Sequence, residues 1–497
     1  MSGLERKLYD VSDPNSKHYG QYLTKSEVDM HVRPMPNVTG RLNSWLGKHG
    51  INPKKTSSAG QHLDFEVSIA QAEKMFNTSF FVYNDTSSDQ TMIKTKKYSV
   101  PKELKDHISY VYPITTLNLS PGWTLPLPSS PTNTTMRRST CQQAMTAPCI
   151  LAQYNIPLDV GAPATNDSNA IMSFLGQAVQ GIDLANYLTS FRTDTVMSKV
   201  QVEVISVNGG DNLQSNADNS EANADIQMLL GVMPSAKTKV ISTAQTSRDG
   251  ISDLLTAFAF VAEQEPMASV VTMSYGQPSV IYYISCVIEL PSSAISETAL
   301  PIEVATAMCN MIMQMSVRGA TFVTGSGDGG VSGVQQHNCT IFEANFPASC
   351  PYALAVGATD LSSGTEVVAG FSSGGFSNVF PSPSYQFQIV SSYLDKIGSL
   401  NEGLFNTSGR GFPDISVVGN NILLLNAGQQ SIRGGTSTSA PIVAGIIAGL
   451  NQRRRKEGKN SLGFVQPLFY AHPETMPGWD PVTGLGTPQF MALAEIV

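Results

Sequence analysis

Three segments of this chain hold residues that could work together on an acyl group. Gly434-Gly435-Thr436-Ser437-Thr438-Ser439-Ala440-Pro441 opens onto the apolar run Ile442-Val443-Ala444-Gly445-Ile446-Ile447. A small-residue turn carrying a serine, then a proline within the first turn of a buried helix, suits a mounted nucleophile. The glycines let the backbone bend sharply and admit a carbonyl. Pro441 lacks an N–H that an early helical position leaves unused. The helix N-terminus offers exposed N–H groups and partial positive charge where an oxyanion would form. Glu221 and Asp225 stand four apart in the second segment. On a helix that spacing sets both carboxylates on one face, one turn apart. Two such acids also suit a solvated face. Forced together, they share a proton and split their apparent pKa values, which serves acid–base chemistry.

Asp328 belongs to the third segment, Thr324-Gly325-Ser326-Gly327-Asp328-Gly329-Gly330, directly after an expected strand. Gly325, Gly327 and Gly330 satisfy the spacing of a dinucleotide fingerprint. That fingerprint opens a helix, whereas Val331-Ser332-Gly333-Val334 continues as loop. The segment therefore reads as a tight strand-end turn carrying an aspartate.

The elements that must position these residues alternate. Ala170 to Gly176, Val200 to Val207, Lys239 to Ser242, Val270 to Ser274 and Ala320 to Thr324 read as buried strands. Helix-length segments lie between them: Asp183 to Phe191, Glu221 to Leu230, Ile251 to Gln264 and Ile302 to Val317. This alternation predicts parallel βαβ units and a doubly wound α/β domain over residues 141–497. Residues 1–112 carry mixed short signals, with Asp64 to Ile69 alternating like a half-buried strand and Ile69 to Phe76 amphipathic as a helix. Residues 113–140, with five prolines among Ser, Thr and Asn and then Arg137-Arg138, read as a linker open to proteolytic processing.

Composition narrows the classes. With 497 residues, 41% of them hydrophobic, and a net charge of -8, the chain is a globular protein with no case for nucleic acid as partner. No uninterrupted apolar run is long enough to span a membrane. Only 14% of residues are charged, which fits work in acid, where carboxylates lose charge and Lys and Arg keep theirs. Six cysteines form an even set without C-x-x-C. Sequence closeness pairs Cys141 with Cys149 and Cys339 with Cys350, leaving Cys286 with Cys309 by elimination. Sequons at Asn37, Asn77, Asn84, Asn118, Asn133, Asn166, Asn338 and Asn406 join the cysteines in pointing to secretion. Met1 to Arg6 shows no signal peptide, so a truncated start is expected.

Taken jointly, the segments resemble the sedolisins, the serine-carboxyl peptidases, of the fungal tripeptidyl-peptidase type. The resemblance runs through His18-Tyr19-Gly20-Gln21-Tyr22-Leu23-Thr24, Glu221 with Asp225, Ser274-Tyr275-Gly276, Ser326-Gly327-Asp328, Phe346 to Tyr352, Val356 to Thr359, Gly374 to Pro381, Gly435-Thr436-Ser437 and Gly478-Trp479-Asp480. It implies a subtilisin-like, mostly parallel catalytic domain preceded by an α+β activation pro-domain that acts as an intramolecular inhibitor. It makes Ser437 the nucleophile, Glu221 its base, Asp225 the group that orients Glu221, and Asp328 part of the oxyanion hole. Ser274, Tyr275 and Gly276 would hold substrate backbone. It further implies a monomer that takes peptide substrates, as a zymogen releasing tripeptides from free N-termini, or else as an endopeptidase or a non-catalytic relative. A calcium site would use Gly478 and Asp480, but Phe469 to Met476 lacks the expected Asp-bearing loop, with Glu474 a substitute ligand. Residues 277–301 form a longer connection than the family's usual one.

Overall fold

The computed structural model describes residues 2–84, 91–115, 130–131, 140–159, 167–215, 218–246, 250–275, 300–332, 342–472 and 478–497. Its centre is an eight-stranded sheet. In chain order the strands are β1 (Asn169–Ser173), β2 (Val202–Val207), β3 (Thr238–Thr243), β4 (Val270–Met273), β5 (Thr321–Gly325), β6 (Leu354–Asp360), β7 (Val367–Val368) and β8 (Ile415–Val418). They lie in the order β7-β6-β5-β4-β1-β3-β2, with β8 also paired to β6. Every pairing is parallel except β6 with the short β7.

Successive side chains on a strand point to opposite faces, and the core divides accordingly. Ile171, Val240, Val270 and Val323 pack on one face with the helices Ser220–Val232 and Thr436–Lys456. Ala170, Met172, Ile241, Val271 and Phe322 pack on the other with Ile251–Glu263 and Ile302–Ser316. Covering both faces is what near-continuous apolar strands require. The expected strands and helices between residues 169 and 325 are all present, and the fold is the subtilisin-like α/β architecture.

Ahead of this domain lie helices Ser2–Ser12, Lys25–Val32, Pro36–Lys48 and Ile69–Phe76 and two two-stranded sheets. A separate core gathers Trp45, Leu46, Ala72, Met75, Phe76 and Leu104. The Ile69–Phe76 helix has its expected bounds because Ser68 and Gln71 close a capping box at its start. The strand expected from Asp64 to Ile69 does not form; only Leu63–Asp64 pairs, and Phe65 and Val67 rest half-buried on that core instead. Leu4, Leu8, Val11 and Val28 enter the main core beside the Ile302–Ser316 helix. Tyr22 donates from its hydroxyl to the Ser461 carbonyl at 2.8 Å. A Cβ on Gly319 or Gly463 would come within 2.6 or 2.7 Å of the Tyr22 ring, so these glycines form its seat.

Cys141 and Cys149 are bonded as expected. Cys350 is bonded to Cys309 and not to Cys339, which overturns both remaining pairings. Sequence closeness misled because Cys309 sits on the Ile302–Ser316 helix, which the fold lays against the turn holding Cys350. Cys286, Cys339 and nearly all of residues 277–301 lie outside the described residues. Among the described residues no helix is long and apolar enough to cross a membrane.

Gly445, on the Thr436–Lys456 helix, lets the neighbouring Ser220–Val232 helix approach: an added Cβ would sit 2.7 Å from Val232 Cβ and 3.0 Å from the Leu229 carbonyl. Mass mapping without reduction should recover a Cys309–Cys350 linked peptide. Gly445→Ala should lower unfolding stability by about 1–3 kcal/mol through overpacking. The control Gly47→Ala, in a helix with open space around that residue, should be neutral or stabilise by about 0.5–1 kcal/mol. Denaturant titrations check both.

Candidate active site

The loops that carry the chemistry leave the carboxyl ends of adjacent parallel strands, where open α/β sheets form their clefts. Ser274 and Tyr275 follow β4; Ser326, Gly327 and Asp328 follow β5. Glu221 and Asp225 lie on the Ser220–Val232 helix, whose residues are all buried. Ser437 is the second residue of the Thr436–Lys456 helix and is itself buried. The structure thus brings Glu221, Asp225, Asp328, Ser274 and Ser437 to one place.

The serine helix starts earlier than its sequence suggested. It begins at Thr436, so Pro441 falls in the second turn rather than the first. Asp328 accounts for the early start. Its Oδ1 accepts from the Thr436 backbone N–H at 2.7 Å and from Thr436 Oγ1 at 3.0 Å, satisfying an N–H that the helix cannot pair internally. Thr436 Oγ1 in turn accepts from the Gly327 N–H at 3.0 Å, closing a link between the β5 loop and the helix. Nothing in the sequence beyond its place beside Ser437 marks Thr436 for this part.

Gly435 precedes the helix with φ +152, a conformation that side chains rarely adopt. A Cβ built there would stand 3.1 Å from Asp328 Oδ2 and 3.1 Å from Ser437 Oγ. The second aspartate oxygen and the serine hydroxyl therefore face one small space, which only glycine leaves open.

The electrostatics are unusual for a folded interior. Both Glu221 oxygens, Asp225 Oδ2 and Ser437 Oγ are buried without hydrogen-bond partners. Burial pushes the Glu221 carboxyl well above its ordinary range; the nearby Asp225 and Asp328 push it further, against smaller opposing effects of the Ser437 hydroxyl and Arg433. Burial likewise raises Asp225; a hydrogen bond with Ser274 opposes this where Ser274 is the donor. Burial raises Asp328 too, against the two hydrogen bonds from Thr436. Arg433 is the cation acting on Glu221, a contribution that sequence reasoning missed.

Tyr275 is only 5% exposed, and its ring meets Phe174 edge-on at 5.2 Å. Its ring is packed into the core and not presented to the cleft. Gly276 lies outside the described residues. Gly478 and Asp480 do sit together before the C-terminal helix, but the fit to calcium is poor. Asp480 Oδ1 accepts from the Val482 and Thr483 N–H groups at 2.8 Å each, and Oδ2 accepts from Thr483 Oγ1 at 2.7 Å. The carboxylate thus holds its own turn, while calcium needs six to eight oxygens. Glu474 lies outside the described residues, and among those described no group of three acidic, His or Cys side chains could hold a metal.

Comparison with known proteins agrees with the fold. Residues 1–117 match the family model described as "Pro-kumamolisin, activation domain", and residues 206–462 match the subtilase family. A probable tripeptidyl-peptidase SED2 of Trichophyton verrucosum is 30% identical, across 99% of this chain and 89% of its own length. Tripeptidyl-peptidase sed1 of Aspergillus fumigatus is 28% identical across 100% and 90%. A Pseudomonas sedolisin (serine-carboxyl proteinase) solved in complex with pseudo-iodotyrostatin superposes with a TM-score of 0.51 at 23% identity, covering 69% of this chain and 96% of that one.

Raised carboxyl pKa values have a thermodynamic consequence. Between the ordinary and the raised pKa the folded chain binds more protons than the unfolded one, so stability falls as pH rises. The contribution is complete below about pH 4, the unfolded carboxylate range, and disappears as pH climbs through the folded values. Glu221→Gln and Asp225→Asn should each make the melting temperature decline less between pH 4 and pH 8. A decline as steep as that of the unsubstituted protein would mean that these acids ionise normally.

Proposed function

The chain belongs to the sedolisins, the serine-carboxyl peptidases of tripeptidyl-peptidase type, and on that premise we propose that it hydrolyses peptide bonds in acid through Ser437, releasing tripeptides from free N-termini. The observation that carries this reading is the meeting of Ser437 Oγ and Asp328 Oδ2 at Gly435, beside the buried Glu221 and Asp225.

Each side chain has a task that its surroundings suit. Glu221, when ionised, accepts the Ser437 proton as the hydroxyl attacks the carbonyl carbon. Its oxygens have no competing donor, and the hydrogen bond from Ser437, not made in the free site, forms when substrate is bound. Asp225, one helical turn along, raises the basicity of Glu221 by its negative field when ionised and orients it in either state. Asp328 Oδ1 is held by Thr436, so an acidic proton resides on Oδ2, aimed at the space where the carbonyl oxygen becomes negative. A protonated carboxyl can donate there; a carboxylate would repel the charge. A histidine base would already be protonated in acid, where Asp328 is neutral. Attack gives an acyl-serine and frees the amine with the proton from Glu221. Water, deprotonated by Glu221 in turn, then hydrolyses the ester.

The amino-terminal segment fits a zymogen in which an activation domain inhibits its own peptidase. It docks through Tyr22 and the Leu4, Leu8, Val11 and Val28 cluster. Beyond it, Ser130 and Pro131 pair with Ile432 and Ser431, on the strand that leads into the serine turn. This pairing sets residues 130–131 on the strand that ends four residues before Ser437, which supports self-cleavage within the connecting segment. The Cys141–Cys149 and Cys309–Cys350 bonds suit an oxidising compartment, hence secretion, and we take the enzyme to act as a monomer.

Acidified protein should cleave a peptide with a free N-terminus and spare the same peptide blocked there. Cleavage of both would make it an endopeptidase, and cleavage of neither would overturn the reading. Ser437→Ala, Glu221→Ala or Asp328→Ala should each lower kcat by about 100-fold or more. Ser437→Ala should also leave the activation domain attached on a denaturing gel. The rate should peak in acid and fall toward neutrality as Asp328 loses its proton, and an alkaline peak would exclude the carboxyl mechanism.

A further inference from the structure

Pro441 stands four residues after Ser437 within one helix. That is where the backbone donor to the Ser437 carbonyl belongs, and proline has no N–H to give. The Ser274 hydroxyl donates to that carbonyl at 3.0 Å. The same Ser274 oxygen is also hydrogen-bonded to Asp225 Oδ1. A hydroxyl carries one hydrogen, and a carbonyl only accepts. Both contacts hold at once when Ser274 gives its hydrogen to Ser437 and Asp225, as the carboxylic acid, gives one to Ser274.

We propose that Ser274 is a positioning residue for the reaction: its hydroxyl replaces the backbone donor that Pro441 lacks and ties the nucleophile's own peptide unit to Asp225. The inference deepens the peptidase reading above and rests on it for its kinetic consequence. It assigns Ser274 a bond inside the enzyme rather than a contact with substrate backbone. The groups that face Asp225 are few. Among the described residues they are Glu221 on its own helix, and Ser274 and Tyr275 from the end of β4. Burial of Asp225, which favours its protonated form, agrees with the direction of the chain of hydrogen bonds. The gain is geometric. A serine at the second position of a helix keeps its place only if the turn beneath it is fixed, and the proline has removed one of that turn's bonds.

The test is a double-substitution cycle on the full chain: Ser274→Ala, Pro441→Ala, both together, and Ser274→Thr. The Pro441→Ala change restores the N–H, so the Ser437 carbonyl loses both donors only when Ser274→Ala is made with Pro441 present. We expect Ser274→Ala to lower kcat by about 10- to 100-fold with KM within about twofold. The double variant should recover at least about a third of that loss on a logarithmic scale. Ser274→Thr should keep most of the activity. In thermal melts Ser274→Ala should cost about 2–4 °C with Pro441 present, and clearly less in the Pro441→Ala background. Equal losses in both backgrounds overturn the proposal, and so does a rise in KM with kcat unchanged, which would return Ser274 to the substrate. If the unsubstituted protein cleaves no peptide in acid, the peptidase reading fails, and the melting cycle alone decides whether Ser274 replaces the missing donor.

Discussion

Everything at this site depends on how closely two buried helices can lie. The helix of Glu221 and Asp225 has no exposed face, and the helix of Ser437 is buried over most of its length. They meet where Gly445 opposes Leu229 and Val232. Gly445 follows Ser437 by eight residues, as Leu229 follows Glu221 by eight. Equal offsets mean that the helices run side by side in one sense, so the separation set at the glycine is carried about 12 Å back to the serine and the glutamate. A glycine two turns away from the chemistry thereby governs whether a carboxylate can reach a hydroxyl. The same logic acts at Gly435 and Gly325, where the missing side chain lets Asp328 and the β5 end approach the first turn of the serine helix.

This arrangement explains the electrostatic cost that the site carries. An ionised carboxylate buried without partners is unfavourable, and here two oxygens of Glu221 and one of Asp225 lack them. The contrast with Asp414 is instructive. It is as deeply buried, yet it accepts from Arg410, the Ala355 N–H and Tyr470, and serves only to hold the chain together. Buried Asp183 and Asp253 likewise accept hydrogen bonds from their neighbours. The acids beside Ser437 keep oxygens without donors, as the proposed proton transfer requires.

How far the sequence revealed this depended on how local the signals were. Apolar strands and intervening helices between residues 169 and 325 were legible because burial on both faces imposes continuous runs of Val, Ile and Ala. The spacing of Glu221 and Asp225 was legible for the same reason: four residues on a helix fix relative position without help from the rest of the fold. Other features depended on distant partners. The hairpin Ile422–Asn426 with Gln429–Arg433 turns through Ala427 and Gly428, both with positive φ. Alanine is a poor signal for such a turn. It is held there because the buried Asp183 accepts the Ala427 and Gly428 N–H groups at 2.8 and 2.9 Å. The Cys309–Cys350 bond and the early start of the serine helix were hidden likewise, each fixed by a residue remote in sequence.

The start of that helix shows why such distant control matters for the chemistry. Local preference would have read Pro441 as an early helical residue, a position at which its missing N–H is harmless. Asp328 draws the start back to Thr436, and the proline then falls where a donor is needed. One consequence is that Ser437 enters the N-terminal turn, near the unpaired N–H groups that favour negative charge. The other is a carbonyl beneath the nucleophile that must find a donor from outside the helix. Ser274, at the end of β4, supplies it. A single aspartate from the loop after β5 therefore sets the electrophilic environment of the serine and also creates the vacancy that binds β4 to it. The strand ends and the helix are held in one geometry by the same residue that would steady the oxyanion.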